Sequence, residues 1–349
     1  MLGVFARLES MSEIQDFSAA VPARRQLRTK PFSRADRLFY GVTKGASSIS
    51  IVLVAAILLF LLSQSFSTFQ TQGLGFITGS EWNNTKGSEV FQIGPMLWGS
   101  VLISILGIIG GVPMAIAAAY FIEFMAPKSI AKVATVLIDL LAAMPSIVIG
   151  LWGLYVLTPV VAHWGSLLYQ LHHVGIGVIN FDIPIFAMSD GKDPSNFGGS
   201  PFIAGWIVAV MIVPIITSVT REIFSQMDRD LINSALALGG SRASVFMRVI
   251  LPTASGGVTG GVLLGLGRAL GETVAIFYVL NLVSDINWFN ILQSKGGSVA
   301  SLVLQKFGEG TPDEIKALMA AGLVLFVVTL LVNWLAAVIV NKAQPWRKL

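Results

Sequence analysis

The chain of 349 residues is 54% hydrophobic and only 12% charged, about half the charged share of an ordinary soluble domain. Its 23 Lys and Arg and 19 Asp and Glu are too few to cover the surface of a soluble protein of this size, so the chain reads as an integral membrane protein. Cysteine is absent, which excludes disulfide scaffolds, cysteine-ligated metal centres and thiol catalysis.

Residues 1–47 are polar and basic, and no Ala-x-Ala-like site follows the first apolar run. They read as a retained tail and not as a signal peptide. A helix needs about 20 apolar residues to cross a bilayer core. Spans are expected at 48–66, 96–121, 133–157, 202–219, 256–282 and 317–340. This predicts an all-α, six-span protein with a membrane domain over 48–342 and a short tail at 343–349. Pro113 and Pro145 fall inside the second and third spans, as membrane helices tolerate. The stretches 67–95 and 158–201 are rich in Gly, Asn, Ser and Asp and read as connections on one side, with Trp82, Trp98, Trp164 and Trp206 near that interface.

Positive charge sets the expected orientation. The basic tail, Lys128, Lys132, Arg221, Arg229, Arg242, Arg248, Lys342, Arg347 and Lys348 share one side, and Lys86, Lys192, Lys295, Lys306 and Lys316 the other. Both termini are therefore expected in the cytoplasm, at a plasma membrane whose anionic lipids accept the excess charge. The same topology explains the basic balance without nucleic acid.

An active transporter needs an energy source, yet no nucleotide-cradling P-loop occurs: Gly191-Lys192 is followed by Asp193. Gly265-Leu266-Gly267 lies inside a predicted span with no strand before it, so it is no dinucleotide fingerprint. His163, His172 and His173 share one connection without metal-ligand spacing. No catalytic group, cofactor or metal is expected, and any ATP hydrolysis belongs to a partner subunit.

The segment 228–252, DRDLINSALALGGSRASVFMRVILP, predicts two short amphipathic helices. The first carries Leu231, Ile232, Ala235, Leu236 and Leu238, Gly239-Gly240 breaks it, and the second stops at Pro252. Such a knob either lies flat in the headgroup layer or inserts into a groove of a partner. Its pattern resembles the EAA loop of binding-protein-dependent ABC importer permeases, with Gly239 and Pro252 in register. Asn233 stands where that loop usually has Glu, and Ser234 where it has the first Ala. The resemblance implies that Leu231, Asn233, Ala235, Leu238, Gly239 and Pro252 form the contact with an ATPase, and that the face Leu231, Ala235, Leu238 docks on it.

Arg268 and Glu272 lie in the predicted fifth span, where an ionised side chain costs about 2.5–3.5 kcal/mol. Their i, i+4 spacing predicts an ion pair on one helix face, serving either to lock packing or to line a substrate path. Gly257, Gly261 and Gly265, four residues apart, predict a close helix contact. Asp139, in the predicted third span, either makes a packing hydrogen bond or pairs with an inner-side cation, or else repels anions or relays protons near the exit. The string GLGRALGETVAI at 265–276 closely resembles the phosphate-specific transport permeases, and AAMPSIVIGLWGL at 142–154 extends the resemblance. It implies the type I ABC importer fold, inward conduction of inorganic phosphate, and Arg268 and Glu272 as transport residues. It also implies a homologous permease partner, an ATPase dimer and an extracytoplasmic phosphate-binding protein. Molybdate or sulfate import and a proton-coupled secondary carrier are the alternatives.

Overall fold

The computed structural model describes residues 33–342 apart from 171–172, 177–178, 183, 187–196 and 281–286. The expected tails at 1–32 and 343–349 lie outside the described residues. Six helices are long and apolar enough to cross a membrane, and their bounds differ from the expected ones in instructive ways.

Helix α1 covers Arg34–Gln72. Its part up to Ile57 is a unit of its own, an unbroken apolar helix whose side chains, Leu53 and Ile57 among them, are exposed. Helix α2 is Gly94–Met125, α4 Ser146–Gln170, α5 Pro201–Ser225 and α7 Arg242–Leu270. Between them lie α3 (Lys128–Ala142) and α6 (Arg229–Ala237), and after them come α8 (Val274–Val279), α9 (Val299–Lys306) and α10 (Pro312–Lys342). Two antiparallel hairpins, Trp82–Asn83 with Val90–Phe91 and His173–Ile176 with Ile179–Asp182, decorate the connections.

The expected third span straddles a break. Residues 143–145 leave the helix, Pro145 takes an extended ψ of 136°, and the crossing helix begins only at Ser146. A proline pushes the residue before it out of the α region, so α3 ends there. The α3 helix has no buried residue. The expected connection at 158–201 loses its first part to α4, which runs on to Gln170.

Helix α5 is the centre of the second unit, and α2 and α7 lie against it through glycines. A Cβ on Gly107 would come within 2.8 Å of Val208 Cγ1, and one on Gly205 within 2.5 Å of Leu106 Cβ. On the other flank Gly257 faces Ile223, Gly261 faces Val219 and Gly265 faces Ile216. The expected glycine contact is therefore present, and its partner is α5. Without Cβ atoms the helices approach closely, and dispersion across the seam holds them where lipid removes any hydrophobic drive between helices.

At the end where α2 begins, α9 folds back into the bundle. Ser298 caps it by accepting from Ser301 N (3.0 Å), and Ser100 Oγ on α2 accepts from Val299 N (3.0 Å). Beside it Glu314, 3% exposed, accepts from Trp82 Nε1 (2.8 Å) and Asn84 Nδ2 (2.6 Å), with Lys306 Nζ 3.5 Å away. This carboxylate ties the first hairpin to α9 and α10. We expect Glu314→Leu to strand these donors and cost about 2–4 kcal/mol, read as a lower melting midpoint of the purified protein. Glu314→Gln, which keeps an acceptor, should lose less than half as much.

Candidate functional site

The fifth span departs most from expectation. Helix α7 stops at Leu270, Gly271 caps it, and Glu272 and Thr273 are non-helical before α8 starts at Val274. Arg268 is thus on the last turn of α7, and Glu272 is in the break. The expected ion pair is not formed. With the helix ended at Gly271, residue 272 is not on the face of residue 268, and Glu272 Oε1 instead accepts from Ala275 N at 3.2 Å. Glu272 is buried, with 7% exposed.

The break is held on every side by hydrogen bonds. Gly271 N donates to Gly267 O (3.3 Å), Thr273 Oγ1 donates to Gly271 O (3.1 Å), and Ser301 Oγ of α9 donates to Thr273 O (3.3 Å). Irregular backbone at membrane depth survives only where protein or a water-filled path satisfies it. The other break, at 143–145, is linked to this one: α4 packs on α8, where Gly150 leaves room for Ala275 at 2.7 Å from an added Cβ. Discontinuous helices meeting in this way are how transporters place binding groups inside a membrane.

Arg268 has no partner among the described residues: no hydrogen bond or ion pair reaches it, and its Nε is buried. Asp139 lies apart from this break, on α3, where its Oδ1 accepts from Ser218 Oγ of α5 at 3.3 Å. One turn earlier Thr135 Oγ1 accepts from Arg221 Nη1 (3.4 Å). Both bonds join α3 to α5.

The segment 228–252 is at the end of the bundle where α2 finishes. Asp228 caps α6 by accepting from Asp230 N (2.9 Å). Gly240 N to Ala235 O (3.3 Å) and Gly239 N to Leu236 O (2.9 Å) close the other end. That Schellman arrangement needs a left-handed residue, and Gly239 has φ of 86°. The expected docking face is split by the structure. Ile232 and Ala235 turn into a cluster with Phe224, Val245 and Ile250, whereas Leu231 and Asn233 are exposed and Leu238, just past the helix end, is 91% exposed. Pro252 does not stop the second helix either. A π turn at Phe246–Ile250 leads directly into Leu251–Leu270, and Pro252, which cannot donate to the ladder, sits in the first turn after it.

Residues 111–344 match the family described as binding-protein-dependent transport system inner membrane component. The chain belongs to that family. The phosphate transport system permease protein PstC of Pasteurella multocida is 33% identical over 312 residues, covering 88% of this chain and 92% of that protein. PstC 2 of Mycobacterium tuberculosis is 32% identical over 314 residues, covering 89% and 94%. A solved structure of a bacterial ABC transporter involved in the import of the acidic polysaccharide alginate shares the fold with a TM-score of 0.50, at 16% identity, over 88% of this chain and 99% of that one. The chain is therefore a multi-pass membrane permease of the ABC importer class, and the expected six-span permease fold is borne out.

How α6 is fastened in this permease was not legible in the order of its residues. Arg229 pairs with Glu123 (2.5 Å) and lies 5.1 Å above the Phe124 ring, and both partners stand on the π turn that ends α2. Phe124 in turn stacks on the buried Phe224 of α5, and Tyr120 on Phe246 of α7. A π turn is a local insertion that re-aims side chains; here it aims two successive ones at α6. An exposed ion pair contributes up to about 1 kcal/mol and a cation–π contact a similar amount. Arg229→Ala should therefore speed amide hydrogen exchange across 229–237 by roughly tenfold while leaving α5 unchanged. Equal exchange in both proteins would show that Ile232 and Ala235 alone hold the helix.

Proposed function

We propose that this permease conducts inorganic phosphate into the cell as the PstC-type subunit of an ATP-driven importer. The observation that carries this reading is the coverage: proteins named as phosphate permeases share about a third of their residues with this chain over 88% of its length. The unpaired cation at the α7–α8 break is the chemistry such a substrate requires. Arg268 donates only, and with no carboxylate paired to it the guanidinium is available to an oxyanion. Glu272, occupied with the Ala275 amide, fixes the shape of the break and keeps a negative charge close enough to weaken anion binding, which conduction requires.

The partners follow from the same reading. A homologous permease pairs with this subunit, an ATPase dimer drives it, and a phosphate-binding protein delivers the anion. With positive charge concentrated inside, both termini are cytoplasmic, and the end of the bundle holding α6 faces the ATPase. Leu231 and Leu238 then form the apolar docking surface, and Asn233 and Gly239 shape it. Pro252 starts the crossing helix behind it, and Ala235 belongs to the anchoring face. Asp139 serves helix packing through Ser218.

Two variants test the reading, each in the complex purified with ATPase and binding protein and measured for phosphate uptake in proteoliposomes. Arg268→Gln should assemble normally and lose uptake by at least about a hundredfold, as removal of one charge-stabilising donor commonly does. Uptake within about twofold of the parent would remove Arg268 from the path. Leu238→Asp places a charge on a surface whose burial would contribute about 1.5–3 kcal/mol; it should leave the permease inserted and abolish phosphate-stimulated ATP hydrolysis. Unchanged stimulation would put that leucine at the membrane surface.

A further inference from the structure

Helix α10 carries in its second half Asn333, a polar residue that neither the motifs nor the transport reading uses. Asn333 is flanked by Leu330, Leu331, Val332, Trp334 and Leu335, of which all but Val332 are among the exposed large side chains. Asn333 itself is partly buried against α7, and a Cβ on Gly267 would lie 3.8 Å from its Nδ2. Gly267 is the residue before Arg268. The Asn333 amide thus lies beside the last turn of α7, within ordinary van der Waals reach of position 267.

Asn333 Oδ1 is buried and accepts no hydrogen bond, and Arg268 Nε is buried and donates none. An unmade hydrogen bond at a buried group costs about 1–3 kcal/mol. The molecule thus carries an unused acceptor and an unused donor at one level of two helices in contact. Had Asn333 been recruited for packing, its oxygen would be bonded across the helix pair, as Ser301 is to Thr273. Glu272 has its Oε1 turned to the Ala275 amide.

We infer that Asn333 is the hydrogen-bond acceptor of the anion path, facing Arg268, and that the two residues together recognise a protonated oxyanion. Phosphate near neutral pH keeps a P–OH group, which donates to Asn333 Oδ1 while its charged oxygens accept from Arg268. A fully deprotonated oxyanion such as sulfate has no hydrogen to donate and leaves the amide oxygen unsatisfied. This inference rests on the phosphate reading for its substrate and adds the residue that discriminates.

The chain has no cysteine, so Asn333→Cys introduces the one thiol of this subunit. The complex, reconstituted with cysteine-free partners, is exposed to an anionic, membrane-impermeant methanethiosulfonate during ATP turnover. Reaction at Asn333→Cys should be slowed at least about threefold by phosphate-loaded binding protein relative to empty binding protein, a factor set by occupancy at about twice the dissociation constant. Leu331→Cys, exposed and on the far side of the helix from Asn333, serves as the control and should show no protection. No reaction at position 333, or reaction that phosphate does not slow, overturns the assignment. Asn333→Ala gives a second readout that does not depend on labelling. Delivered by a binding protein that accepts both anions, sulfate flux relative to phosphate should rise by about tenfold, the worth of one hydrogen bond; equal loss of both fluxes means a structural role. Absence of phosphate uptake by the parent complex would sink the phosphate reading instead, and reaction of Asn333→Cys with the anionic reagent would still report whether position 333 faces water.

Discussion

The close approach of α2 and α7 to α5 is the constraint on which the rest of this permease depends. Lipid offers no hydrophobic drive between helices, so the bundle is held by van der Waals contact, and that contact exists because Gly107, Gly205, Gly257, Gly261 and Gly265 remove the side chains that would separate the backbones. The ends of α7 are consequently fixed by packing along its whole length. One end carries the π turn beside α6, and the other carries Arg268 and the break. A helix clamped along its middle carries displacement at one end to the other as a rigid body, with little bending. Alanine at Gly265 would push Ile216 aside and shift both ends together.

The breaks are where that rigidity stops. At 143–145 and 271–273 the chain gives up helical hydrogen bonds in a region where each unsatisfied group costs several kcal/mol. Side chains repay part of that locally: Glu272 serves the Ala275 amide, Ser301 serves the Thr273 carbonyl and Thr273 serves the Gly271 carbonyl. The first and last are local to the break, whereas the bond from Ser301 survives only while α9 remains seated in the bundle. The seating of α9 in turn rests on Ser100, and on a buried Glu314 reached by two separate stretches of chain. Loosening the first hairpin would therefore be felt at the break, through a chain of named contacts.

Much of this was legible in the sequence, for reasons that also explain what was not. Composition and apolar run length are properties of the solvent a segment must face, so membrane class and span number could be read directly. The glycine stripe at 257, 261 and 265 is a helix-period pattern with one structural meaning. The break after Leu270 left no mark in hydropathy because Val274 to Val279 continue the apolar run on its far side. Nor does hydropathy distinguish α3 from a crossing helix; Pro145 was the relevant signal, and a proline inside an apolar run reads equally well as a kink. The i, i+4 rule failed for Arg268 and Glu272 because it presumes one continuous helix. Glu314, Glu123 and Arg229 stood as surface charges in the sequence, since the partners that bury or pair them are distant in the chain. Asn333 gave only the signal of one amide in an apolar stretch, whose meaning depends on its proximity to Gly267.

Arg268 poses the sharper energetic question. A guanidinium at membrane depth costs about 2.5–3.5 kcal/mol even on the lenient insertion scales, and a permanent ion pair would offset most of that. This chain leaves it unpaired and spends its nearby carboxylate on a backbone amide instead. Full neutralisation by Glu272 would make the site indifferent to anions, because a passing oxyanion would have to displace an intramolecular carboxylate at high effective concentration. An isolated cation without any nearby negative charge would bind the anion and hold it. A buried carboxylate in the adjoining break, held by its own hydrogen bond to a backbone amide, lies between these limits, because it leaves the guanidinium unoccupied. On the proposed phosphate reading, the break that separates residues 268 and 272 is what would let one arginine both attract an anion and release it.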